Sequence, residues 1–117
     1  MRVGLYLAAL MDHSLEDALR ITRDWGLTDA EVPAGGFNPY DHCNPGELLA
    51  SQAKRDEFLQ KFDDAGVNLA ILNANSNPIH PDPDVSVPHA KDLRDAIVLS
   101  SQLGLDRLNV MSGSVGS

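Results

Sequence analysis

Three segments of this chain share one grammar: Trp25-Gly26-Leu27-Thr28-Asp29-Ala30-Glu31-Val32, Ala65-Gly66-Val67-Asn68-Leu69-Ala70-Ile71-Leu72 and Leu103-Gly104-Leu105-Asp106-Arg107-Leu108-Asn109-Val110. In each, a glycine able to adopt the left-handed conformation stops a helix, and an extended apolar run begins within two residues. Helical periods precede all three glycines. They are Leu15, Ala18, Leu19, Thr22 and Trp25 after a Ser14-x-x-Asp17 capping signal; Phe58, Leu59, Phe62 and Ala65; and Leu93, Ala96, Ile97, Ser100 and Leu103, with Ser86 and Pro88 placed as a cap and a first-turn proline. The predicted order is β (2 to 8), α (15 to 25), β (28 to 33), α (54 to 65), β (67 to 73), α (87 to 103), β (106 to 111). Strict alternation of this kind makes an α/β fold of four parallel strands and three main helices joined by right-handed crossovers.

At 117 residues and 43% hydrophobic, the chain is the size of one globular domain. We assign it to 1–111 and read the Gly/Ser-rich segment 112–117 as a flexible end or a phosphate-cradling loop, favouring the former. A formal charge of −8 repels a phosphate backbone, so nucleic acid is not an expected partner. The apolar opening Val3 to Met11 lacks the basic flank and cleavage pattern of a secretory segment and reads as a buried strand. No run reaches the roughly 18 to 20 apolar residues of a membrane helix. A lone cysteine, Cys43, leaves no intrachain disulfide framework, and the expected location is cytoplasmic.

Polar chemistry collects in the strand-to-helix links, which are long after the second and third strands (34 to 51 and 74 to 86) while the helix-to-strand returns are short. In parallel α/β folds the face beyond the strand carboxyl ends is where ligands bind. All four histidines, His13, His42, His80 and His89, fall in these links or in the opening turn of a helix. Glu31 sits near the end of a buried strand, where a carboxylate is paired, protonated or turned to a ligand. The following Gly35-Gly36 pair allows either close approach to a ligand or a demanding turn. Within Asn73 to Pro83, three prolines stiffen a loop around His80, whose imidazole can ligate a divalent metal, meet a substrate hydroxyl or hold the loop itself. His42 beside Cys43 has the wrong spacing for a nucleophile and base pair. Phosphate-loop, dinucleotide, HExxH and CxxC motifs are missing from the sequence.

Taken together, Val3-Gly4-Leu5-Tyr6, Ala30 to Phe37, Asn77-Pro78-Ile79-His80-Pro81-Asp82-Pro83, the helix from Ala90 to Gly104 and the strand ending Val110-Met111-Ser112-Gly113 resemble the sugar phosphate isomerases/epimerases of the xylose isomerase-like barrel group. The resemblance implies a TIM, or (β/α)8, barrel that moves a proton next to a sugar carbonyl with a divalent metal: manganese, magnesium, zinc or cobalt. It implies that Glu31, Asn77 and His80 face a small sugar or polyol, and that His80 is the metal-contacting candidate. Most metal ligands and proton-shuttling glutamates of such barrels belong to later strands.

An eight-stranded barrel takes about 250 residues. Four strands therefore suggest the N-terminal half of one, a truncated or split product with little activity alone. The alternative is a non-catalytic module whose open edges pair with a complementary half barrel or a second copy. A metal-dependent abasic-site endonuclease of the same barrel group is disfavoured by the charge.

Overall fold

Ala30 and Val32, two residues apart on one strand, are completely shielded from solvent, while Glu31 between them is half-buried on the other side. That alternation is the period of a strand with one face under helices, and it recurs at Leu69 and Leu72 on the neighbouring strand. The computed structural model describes residues 1–116 and orders them as β1 (Gly4–Tyr6), a 3-10 turn (Leu7–Leu10), α1 (Leu15–Asp24), β2 (Asp29–Pro33), α2 (Pro45–Ala50), α3 (Gln52–Ala65), β3 (Asn68–Asn73), α4 (Pro83–Gln102) and β4 (Leu108–Asn109). The four strands form one sheet in the order β1-β2-β3-β4, and every neighbouring pair is parallel. A shift between Ala30 and Glu31 leaves Ala70 as an extra residue on β3. This bulge keeps Val32 and Leu72 facing the helices and puts Glu31, Ile71 and Asn73 on the opposite face.

The core lies between the sheet and the helices, built from Leu7, Leu19, Val32, Leu72 and Leu99, with Phe58 and Phe62 in edge contact at 5.2 Å. The helix ends follow the sequence signals. The Ser14 hydroxyl accepts from the Asp17 amide at 3.1 Å and starts α1. Gly66, at φ 67°, ends α3, and the Arg23 guanidinium donates to the Ala65 and Gly66 carbonyls there, a cation at a helix C-terminus.

Among the described residues four α-helices, not three, accompany the strands. The additional α2 sits inside the link after β2, where Asn44 caps its first turn through the Glu47 amide and Pro45 takes the first helical position. α4 begins four residues earlier than the Ser86/Pro88 signal suggested. Asp82 accepts from the Asp84 amide at 2.9 Å and Pro83 occupies the first position, so Asp82-Pro83 is the working cap. Pro88 is carried inside the helix, where its missing N–H forgoes one bond to the carbonyl of exposed Asp84. The opening apolar run is strand only to Tyr6; its remainder coils into the 3-10 turn and buries Leu7 and Leu10. β4 is likewise confined to two residues. No helix among the described residues is long and apolar enough to cross a membrane.

Leu72, fully buried between sheet and helices, is a sharp probe of this core. Leu72→Ala is expected to lower unfolding free energy by about 2–5 kcal/mol, whereas Ile97→Ala on the exposed side of α4 changes it by roughly 0.5 kcal/mol or less; urea melts of both variants check the contrast.

Candidate functional site

Parallel pairing brings the carboxyl ends of all four strands to one rim, and the residues there are polar. Tyr6 is the register partner of Glu31, and Asn73 is the register partner of Asn109. The Glu31 carboxylate is held across three strands: Asn73 Nδ2 donates to Oε2 at 3.0 Å, and Asn109 Nδ2 donates to Oε1. Asn73 is itself fixed, because its Oδ1 accepts from the Asn75 amide at 2.9 Å and its side chain is buried. On the other flank, Asn38 donates to the Tyr6 hydroxyl at 3.0 Å. Burial raises the Tyr6 phenol above its ordinary value; the Asn38 bond works against this and the Glu31 charge adds to it. Below this row, on the same face, a cavity of about 390 Å³ is lined by Arg2, Gly4, Tyr6, Asp29, Glu31 and Ala70, among others.

The paired glycines serve the protein's own packing. Gly35 and Gly36 have φ of 103° and 75°, and a Cβ at Gly36 would collide with the Asn75 carbonyl. The space beside them is taken by Asp92 of α4, which accepts from the Gly36 amide at 2.7 Å and from the Tyr40 hydroxyl at 2.5 Å. A buried carboxylate thus ties the link after β2 to a helix two units on. The hydrogen bond to Asp92, then burial and the nearby negative charge, push the Tyr40 phenol up to about 12.

The histidines take separate roles. His80 Nδ1 accepts from the Asp82 amide at 3.0 Å, which places the ring proton of a neutral imidazole on Nε2. In this arrangement His80 presents a donor, the form suited to a ligand oxygen; binding a metal would require its ring to leave Asp82. His89 Nδ1 accepts from the Asn77 amide at 2.9 Å, and its ring stands edge-on to Phe37, with centroids 4.9 Å apart. His42 donates from Nε2 to the His13 carbonyl at 2.8 Å and is buried. Cys43 next to it is also buried, and desolvation pushes its thiol up to about 12, so it is no thiolate nucleophile at neutral pH.

Asn77 is used internally. Its Nδ2 donates to the Ser114 carbonyl at 2.8 Å and its Oδ1 accepts from the Ser114 amide at 2.9 Å, so the loop after β3 grips the Gly/Ser segment after β4. Ser117, the end of the segment expected to be flexible, lies outside the described residues. Of the three residues expected at the site, Glu31 lies within the rim, His80 lies in the link that leaves it, and Asn77 braces that link. Among the described residues no hydrogen bond joins His80 to Glu31. Sequence reasoning missed Tyr6, Asn38, Asn73 and Asn109. The shared position of Tyr6, Glu31, Asn73 and Asn109 at four strand ends was the signal that could have found most of them.

A titration and a labelling experiment test these environments. Tyr40 is expected to ionise near pH 12 in the native chain, and Asp92→Asn should move its tyrosinate absorbance transition down toward the ordinary value of 10 while Tyr6 stays raised. Because the folded-state value is the higher one, the Tyr40–Asp92 contact supports folding below the unfolded-state value and is lost as pH rises through about 12. Cys43 should resist thiol reagents at neutral pH in the native chain and react once denaturant is added.

No family model matches the chain. It is 34% identical over 114 residues to an uncharacterized protein, YfiH, of Bacillus subtilis (strain 168), in an alignment that takes in 97% of this chain. The chain spans 36% of that relative's length.

Proposed function

We propose that this chain contributes the substrate-holding rim of a sugar phosphate isomerase/epimerase built on a (β/α) barrel, acting as part of a larger barrel and not as an enzyme alone. The observation that carries this reading is the Glu31 carboxylate held by amides from two neighbouring strands at the carboxyl end of a parallel sheet, the face where such folds bind ligands. In the proposed reaction a carboxylate removes the proton next to the sugar carbonyl and returns it to the neighbouring carbon or the opposite face. Glu31 orients the sugar hydroxyls, and His80 offers its Nε2 proton to a substrate oxygen. Asn77 acts indirectly, by holding the His80 link against Ser114.

A divalent metal would polarise the carbonyl and its adjacent hydroxyl oxygen. The residues present do not compose a site for it. His80 Nδ1 is engaged by Asp82, both Glu31 oxygens accept amide protons, and no group of three or more His, Cys, Asp or Glu side chains is gathered to hold an ion among the described residues. In this reading the metal ligands and the proton-shuttling carboxylates come from outside this chain.

A second reading is favoured by the sheet edges. Among the described residues β1 and β4 each have a neighbour on one side only, and exposed Val3, Val110 and Met111 adjoin them. Here the chain is an assembly module that pairs with a complementary half barrel or a second copy. Sedimentation across a concentration series distinguishes it: a monomer at every concentration, without hydrophobic dye binding, removes the self-pairing form.

The enzymatic reading is tested by co-expressing the chain with the part of YfiH that it does not span, and following deuterium exchange next to the carbonyl of an aldose and ketose panel with manganese present. Exchange that falls at least about tenfold in Glu31→Ala is the expected result, in line with loss of a charged contact to substrate. A properly assembled complex that exchanges no sugar overturns it. Manganese titrated into the chain alone should bind no better than to His80→Ala; tighter binding by the unaltered chain would assign His80 a ligand role.

A further inference from the structure

We infer that the Glu31–Asn73–Asn109 rim is a vicinal-diol clamp, which takes two adjacent hydroxyls of an uncharged polyol stretch of the substrate and excludes its phosphate. The inference rests on the sugar-site reading and specifies which part of the sugar this chain holds.

An ionised carboxylate offers about four acceptor positions. Asn73 and Asn109 fill one on each oxygen, which leaves about one on each, and Glu31 lines the open cavity on that face. Two acceptors on one carboxylate suit two adjacent hydroxyl groups in the way they suit the paired donors of a guanidinium. The amides fix the plane of the carboxylate before any ligand arrives. Asn73 cannot turn over, because its oxygen is already committed to the Asn75 amide. Asn109 Oδ1 accepts no hydrogen bond from the described residues, on the exposed end of β4, and the Tyr6 hydroxyl, which accepts from Asn38, keeps its proton to donate. The row therefore presents acceptors and a donor side by side, the mixture that hydroxyl groups satisfy.

Charge selects against phosphate at the same place. The cavity carries two carboxylates, Glu31 and Asp29, and one cation, Arg2, whose guanidinium is already bound to Asp29 through Nε at 3.0 Å and Nη2 at 2.8 Å. A dianion placed beside Glu31 meets a like charge, and among the described residues lining the cavity no further cation balances it. Gly4 lines the cavity without a side chain, and a Cβ there would stand 2.7 Å from the Asp29 carbonyl oxygen of the adjoining strand, too close for both to keep their places.

The test uses the intact chain and nuclear magnetic resonance of its side-chain amides, with three probes. Xylitol has vicinal hydroxyls and no carbonyl, so its binding is separable from turnover; pentaerythritol has hydroxyls only on alternate carbons; inorganic phosphate reports on anions. The expected result is saturable movement of the Asn73 and Asn109 amide signals with xylitol, at least roughly tenfold weaker binding of pentaerythritol, and no movement of those signals with phosphate. Glu31→Gln should weaken xylitol by roughly tenfold or more, because the oxygen it keeps stays with the fixed Asn73 amide and the other becomes an NH2, which cannot accept from the second hydroxyl. Asn109→Ala, an exposed change at a strand end, should weaken it severalfold without loss of fold and serves if Glu31→Gln unfolds. Equal binding of xylitol and pentaerythritol overturns the clamp, as does unaltered affinity in Asn109→Ala. Movement confined to the Pro78–Pro83 link overturns the clamp while leaving a sugar site elsewhere on the rim, and exchange chemistry in the assembled complex judges that site separately.

Discussion

The pairing of β2 with β3 is the constraint on which the remainder depends. Side chains alternate across a strand, so burying Val32 and Leu72 against the helices fixes Glu31 and Asn73 on the other face. A slip of one residue would send Glu31 into the core and Val32 into the open. The bulge at Ala70 absorbs one residue of mismatch between two strands whose apolar patterns do not align end to end. Burial free energy of the apolar face is thus what aims the carboxylate, and no polar contact has to hold it there unaided.

Beyond the sheet, order in the links is supplied by single side chains that reach across the chain. Asp92 gathers the Gly36 amide and the Tyr40 hydroxyl, His89 accepts the Asn77 amide, and Arg23 covers the end of α3. Each joins residues far apart in sequence by satisfying a polar group that the turn would otherwise leave to solvent. The links after β2 and β3 are braced to one another through α4 for this reason, since Asp92 and His89 stand one turn apart on it.

The alternation of strands and helices was legible because each glycine stop, each helical period and each short return pointed to the same architecture, and all four strands are parallel as expected. Boundaries were less so. Two Asx-Pro pairs, Asn44-Pro45 and Asp82-Pro83, carry the same cap and first-turn signal as Ser86 with Pro88, and local chemistry does not rank them; only the packed helix does. Glu31 was visible as a carboxylate in a buried strand. Its partners were not, because Asn73 and Asn109 lie 36 residues apart and meet only through the β3–β4 register. Asn77 and His80 stood out by composition, which shows that a loop is stiff without showing which of its polar atoms are consumed in making it so.

The grip of Asn77 on Ser114 has a consequence for how the rim responds to load. A carboxamide that gives one proton and takes one from the same residue reproduces the pairing of two backbone segments, so the β3–β4 ladder is in effect lengthened past the last true strand residues. A displacement of the Ser114 segment is then passed through this side-chain rung to Asn77 and so to the link that carries His80.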